Sequence, residues 1–175
     1  MGTHVALLRG INVGRAKRIA MADLRALVED LGYGEVRTLL NSGNVVFTAS
    51  GKGKGDPASR IEQALVDKLG ISSQVTVLTA AELDAVVEAN PLLDVADNPS
   101  RLLVALFDGK HRTRLAELSK QNWAPDVLAV RDGVAYVWFP EGILNSRLGE
   151  ALLRNATTTR NWATILKLHA LVNQR

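Results

Sequence analysis

The sequence predicts an α+β protein made of two ferredoxin-like (β-α-β-β-α-β) subdomains with antiparallel sheets. Three observations predict it. Short β-branched apolar runs alternate with segments whose apolar residues recur at helical spacing. Two turn-forming stretches, Asn41-Ser42-Gly43-Asn44 and Arg131-Asp132-Gly133, each join two such runs as a hairpin would. The order of elements in residues 1–79 then partly returns in residues 80–175. Those two ranges are the expected subdomains of one compact domain.

In the first subdomain, residues 4–8 form a short apolar run that reads as a strand, ended by Arg9-Gly10. Met21, Leu24, Leu27, Val28 and Leu31 then share one helical stripe, with Gly32 placed to end the helix. Residues 36–40 and 45–48 read as the two strands of a hairpin, since Asn and Gly tolerate the positive φ of its turn. Residues 50–55 are a Gly/Lys connector. Asp56-Pro57 opens the next helix with a capping carboxylate and a proline at the first position. Ile61, Ala64, Leu65 and Leu69 line its apolar side, Gly70 stops it, and residues 75–78 form a last strand.

In the second subdomain, Thr79 and Glu82 have capping-box spacing and start a helix that runs to about Asn90-Pro91. Residues 102–107 read as strand, 111–120 as a short helix, and 127–130 with 134–139 as a hairpin. Helices over 145–155 and 161–173 complete the chain. This reading leaves the second unit as β-α-β-β-α, its last strand missing or replaced by helix. Its motivation is topology, because no tight sequence repeat accompanies it.

Composition narrows the chemistry. The 175 residues are 47% hydrophobic and 22% charged, an ordinary globular balance, and aromatics supply only 5%, so Leu, Val, Ile and Ala must build the core. The absence of cysteine excludes disulfides, thiol catalysis, zinc ribbons and iron–sulfur clusters. The longest strictly apolar run, 102–107, is far short of a membrane span, and residues 1–14 carry neither a charged leader nor a long apolar stretch. The expected location is cytoplasmic, with no membrane partner. The net charge of +3 conceals a division: residues 1–60 carry nine cations against five acids, 61–141 seven against twelve, and 142–175 five against one. Two basic ends flank an acidic middle, and if the ends meet they make a field that attracts anions.

Most catalytic signatures are missing. The loop 51–56 lacks the spacing and the hydroxyl of a phosphate-cradling loop, and neither H-E-x-x-H nor G-x-S-x-G occurs. His4, His111 and His169 fall on separate elements, His169 as a core or boundary histidine on the last helix. No metal or cofactor is expected. The densest segment is 7–18, LLRGINVGRAKR, which follows a strand, holds two glycines and carries four cations without an acid. Glycine lets backbone N–H groups face a ligand and arginine grips phosphate or carboxylate in a fork, so Arg9, Asn12 and Arg15 are candidate ligand contacts. The plain structural alternative is a tight β-α turn. The segment 157–162, TTTRNW, reads as a helix start whose hydroxyls and amide cap it and whose N–H groups attract anions, with Arg160 and Asn161 as candidates.

Several of these stretches occur together in one family. VALLRGINVG, Met21 with Leu24, GYGEVRTLLNSGNVVF, Asn90-Pro91, Gly142-Ile143 with Ser146, and TTTRNWATILKL resemble the uncharacterised bacterial family known as domain of unknown function 1697, from residue 3 to about 171. The resemblance implies two ferredoxin-like subdomains in a small cytoplasmic protein and brings no reaction. The chain departs from the family pattern at Arg15, at Leu39-Leu40-Asn41 and at Arg147, exchanges that put an aromatic ligand contact at position 39 in doubt.

The expected arrangement sets the first and third strands parallel. That would put Arg9 and Asn12 at one sheet edge and Ser42 with Asn44 at the other, with Arg37 and Thr38 on the Arg9 side. A joint site would then use Arg9, Asn12, Arg37 and the Arg160-Asn161 pair, while Ser42, Asn44 and Arg147 are secondary candidates. The expected function is a module binding a phosphorylated small molecule, nucleotide or nucleic-acid end. RNA recognition is a weak version, since Phe47 alone offers a sheet aromatic. The alternatives are an enzyme stabilising charge on a phosphoryl or acyl group, and a protein-interaction domain with purely structural motifs.

Overall fold

Eight strands and six helices follow one another in the computed structural model, which describes residues 2–50 and 55–174. The connector expected at 50–55 falls mostly outside the described residues. The chain divides into two compact units, Met1–Asp84 with Leu168–Arg175, and Ala85–Lys167.

In the first unit, β1 (Gly2–Leu8), α1 (Met21–Asp30), β2 (Gly34–Leu39), β3 (Asn44–Ala49), α2 (Pro57–Leu69) and β4 (Val75–Thr79) form a sheet ordered β2-β3-β1-β4. Asp56 caps α2, its carboxylate accepting from Ser59 N at 3.1 Å, and Gly70 ends the helix in the left-handed conformation at φ 64°. Alternation in β1 and β3 turns Ala6, Leu8, Val45 and Phe47 to the side where Leu24, Val28, Ile61 and Leu65 of the two helices close a buried core. Each buried Val, Leu, Ile or Phe among them, taken from water, stabilises the unit by about 1.5–3 kcal/mol.

The second unit begins in α3 (Ala80–Glu88), whose expected capping box is present: Glu82 N donates to Thr79 Oγ1 at 3.1 Å and Thr79 N to Glu82 Oε1 at 3.3 Å. β5 (Leu102–Leu106), α4 (Arg112–Ser119), β6 (Val127–Arg131), β7 (Val134–Trp138), α5 (Arg147–Asn155) and β8 (Thr158–Asn161) make a sheet ordered β6-β7-β5-β8, the same pattern as the first. The β6–β7 turn uses Asp132 at φ 48° and Gly133 at φ 76°, the paired positive values of a tight hairpin. Ala105, Phe107, Leu115, Ala135, Leu148 and Leu152 close its core. α6 (Trp162–Val172) ends the fold.

Two expectations are corrected. The strand thought missing from the second unit is present: Thr158–Asn161 pairs with β5 from Leu106↔Thr158 to Leu103↔Asn161. Consecutive β-branched threonines favour extended backbone, and the helix begins only at Trp162. The first and third strands are antiparallel, with Leu7 opposite Asn44, and not parallel as expected. The end of β1 and the β2–β3 turn therefore lie at the same end of the sheet.

Candidate functional site

That strand direction assembles a cluster in the first unit from two motifs the sequence had set apart. Leu8 N donates to Gly43 O at 2.9 Å, and Asn12 Nδ2 donates to Asn41 O at 2.8 Å. Gly43 is required there: φ is 87°, and a Cβ would lie 2.7 Å from Ile11 Cδ1 and 2.9 Å from Leu8 Cβ. Asn44 is fully buried and holds the turn from below, donating to Leu39 O and to Ser42 Oγ, each at 2.8 Å.

The loop 9–18 is a small hairpin in its own right, bridged at Val13 and Ala16. Asn12 organises it. Its Oδ1 accepts from Ile19 N at 2.8 Å, its Nδ2 donates to Ile19 O at 2.9 Å, and its own N donates to Lys17 O at 3.0 Å. Asn12 sits at φ 54°, a left-handed conformation that asparagine adopts more readily than most residues. Arg9 anchors the base of the loop through its backbone: its N donates to Gln74 O at 3.0 Å and its O accepts from Ser73 Oγ at 2.7 Å. Arg15, Lys17 and Arg18 stand exposed at the tip, and Arg18 also donates to Asn12 O and Gly14 O at 3.2 Å. Among the described residues no acid pairs with any of these three. Two exposed apolar side chains accompany them, Val13 on the tip and Leu40 beside the turn, the latter at φ 59°. A leucine in that region is strained, and no sequence signal announces it.

Length sets this loop apart. Residues 9–20 connect β1 to α1, whereas 107–111 suffice to connect β5 to α4. The strand-to-turn joint is otherwise repeated, since Phe107 N donates to Gly133 O at 3.1 Å as Leu8 N does to Gly43 O. In the short loop, Asp108 Oδ1 meets His111 Nδ1 at 2.7 Å. That hydrogen bond is the main reason the Asp108 carboxyl is held below its ordinary 3.8.

The remaining candidates are dispersed. Arg9, Asn12, Arg15, Arg37, Ser42 and Asn44 belong to the first unit, and Arg147, Arg160 and Asn161 to the second. Arg37 is not on the Arg9 side: it lies in mid-strand opposite Val46 and donates to Leu171 O at 3.1 Å. Val46 alternates with the core-facing Val45 and Phe47, so Arg37 stands on the sheet face away from α1 and α2. Arg160 is half-buried in β8 opposite Val104, donating to Thr158 Oγ1 and Thr159 O, and burial lowers its pKa to about 10. Asn161 caps α6, accepting from Thr164 N at 2.9 Å. Arg147 lies over the Trp123 ring, 5.4 Å from its centroid, beside a cavity of about 340 Å³. Ser146 in that cavity caps α5 and donates to Asp126 Oδ2 at 2.7 Å. Among the described residues no group of three or more His, Cys, Asp and Glu could hold a metal ion, and no helix is long and apolar enough to cross a membrane.

Comparison with known proteins gives fold and family. Residues 1–136 match the model of the family described as "Protein of unknown function (DUF1697)". A search of the curated proteins finds no match. The conserved bacterial protein SP0830 from Streptococcus pneumoniae is similar in structure, with a TM-score of 0.77 at 23% identity over 98% of this chain and 99% of that one. At that identity the likeness shows the fold alone.

Proposed function

The chain belongs to the DUF1697 family of proteins of unknown function, and from that premise we propose that it is a cytoplasmic binding module for phosphate-bearing molecules, held on the hairpin 9–18. The observation that carries the reading is the placement of Arg15, Lys17 and Arg18 on one exposed hairpin, without an acid partner among the described residues. Asn12 fixes the backbone beneath them, so a ligand does not bear the full cost of ordering the loop. The added length of this connection over its counterpart between β5 and α4 supports the same reading, because long connections in compact domains are usually functional or disordered. Arginine forks and a lysine point charge suit phosphate, whether on a nucleotide, a sugar phosphate or a nucleic-acid end.

Calorimetric titration with pyrophosphate, ATP and a short single-stranded oligonucleotide tests it. Binding should weaken as salt rises. The double variant Arg15→Glu/Lys17→Glu should abolish it while keeping the wild-type melting temperature, since both side chains are exposed and make no ion pair among the described residues. Binding that survives the double charge reversal would refute the assignment, as would the absence of binding across the panel.

A further inference from the structure

We propose that the first unit carries a second, independent ligand site, anchored by Arg37, that takes a small zwitterion of the α-amino acid type. Arg37 lines a cavity of about 700 Å³ together with Thr3, Glu35, Thr48 and Gln174, within the range of small-molecule sites. The neighbouring Arg25 and Glu29 also line it and satisfy each other, Nε to Oε1 at 3.4 Å.

The argument begins with an unfinished cation. Arg37 is half-buried, its Nε is buried with no hydrogen-bond partner, and among the described residues no carboxylate forms an ion pair with it. Among the described residues its other nitrogens reach neutral acceptors, Leu171 O at 3.1 Å and Gln174 Oε1 at 3.5 Å. A guanidinium that is partly desolvated, uncompensated and short of an acceptor is costly, and a carboxylate brought in by a ligand supplies both the charge and the acceptors.

The second strand supplies the complement. Its pairing with β3 shifts register between Gly34 and Arg37, and Glu35 within that irregularity has φ 46°, a left-handed backbone conformation uncommon for glutamate. Irregularities of this kind re-aim side chains and occur beside sites. Glu35 is exposed and unpaired among the described residues, and it lines the same cavity, so an acceptor for an ammonium group accompanies the donor for a carboxylate. Thr3 and Thr48, cross-strand partners on the Arg37 face, add hydroxyls. The charged lining residues, Arg25, Glu29, Glu35 and Arg37, sum to zero, which favours a zwitterion over a phosphate dianion. Chemistry therefore separates this site from the hairpin 9–18.

The test is calorimetric titration of the full chain with glycine, L-leucine, L-glutamate, acetate and inorganic phosphate. At least one amino acid should bind saturably and more tightly than acetate, and any binding of phosphate, which the hairpin 9–18 would take, should persist in Arg37→Met. Arg37→Met, which keeps an unbranched apolar stem and removes the charged guanidinium, should abolish amino-acid binding. Should Arg37→Met not fold, exposed Glu35→Gln decides: amino-acid affinity falls about tenfold, the effect of losing one charge contact, while acetate is unaffected. No saturable binding by any amino acid overturns the proposal, and so does binding unchanged in Arg37→Met or, in its place, in Glu35→Gln. The Arg15→Glu/Lys17→Glu variant should bind amino acids as wild type does, so the two readings fail separately.

Discussion

Ile11 closes over Gly43 so tightly that a Cβ added to the glycine would lie 2.7 Å from Ile11 Cδ1. Ile11 is itself only 2% exposed, so it has little room to retreat. Gly43→Ala combines that clash with an unfavourable φ of 87° and should destabilise the protein by about 1–3 kcal/mol. Urea unfolding measures it. A change within error would mean that the loop lifts freely from the turn.

Asn12→Ala removes the side-chain bonds to Ile19 N, Ile19 O and Asn41 O together. The expected cost is about 1–3 kcal/mol, because the partners left behind are part-buried or must find other acceptors and donors. Hydrogen exchange should localise the loss, with the Ile19 amide exchanging faster than in wild type. Uniformly faster exchange throughout the first unit would instead mark Asn12 as a global stabiliser.

Tyr136 predicts alkaline behaviour. Its ring is buried and its hydroxyl donates to Val86 O at 2.6 Å; desolvation raises its pKa from 10.0 to about 12. The folded state holds the phenolic proton after the unfolded state has released it. This contribution to stability is complete below pH 10 and is lost as pH rises to about 12. Arg160, lowered by burial to about 10, contributes with the opposite sign in the overlapping window. Subtracting the unfolding profile of Tyr136→Phe from that of wild type should isolate the tyrosine, and a flat difference between pH 10 and 12 would contradict its burial.

Asp108 gives an acid counterpart. His111→Ala should return its carboxyl toward 3.8, followed by NMR titration of the side-chain carboxyl carbon. Because the folded pKa is depressed, the small stabilisation it confers is present above 3.8 and disappears as pH falls below that value. An unshifted titration in the variant would show that the backbone N–H donors of Lys110 and His111 dominate instead.

Much of the fold was legible in the sequence because its determinants are local. Asp56-Pro57 and Gly70 bound α2, and Thr79 with Glu82 starts α3, each through a cap that acts within a few residues. Thr158–Asn161 was misread because Asn161 does cap the following helix, while the residues before it owe their conformation to β5, some fifty residues away. The site was legible in composition but not in arrangement. Arg9-to-Arg18 stood out as a basic loop, yet its neighbour was misplaced by the assumed direction of β1 against β3. Nothing in the sequence marks Leu40 or Glu35 as left-handed, since neither residue type prefers that conformation. The orphaned Nε of Arg37 arises from packing against Leu171 and Gln174, far along the chain.

The irregular pairing of β2 also bears on how copies of this chain meet. β2 is the outermost strand of its sheet, and an outermost strand is a template on which another chain can add. The break in register at Gly34–Arg37, with the left-handed Glu35 inside it and charged side chains on either side, interrupts the straight run of donors and acceptors that an added strand would need. The kink beside Arg37 therefore protects this edge from self-association, and straightening it would endanger solubility.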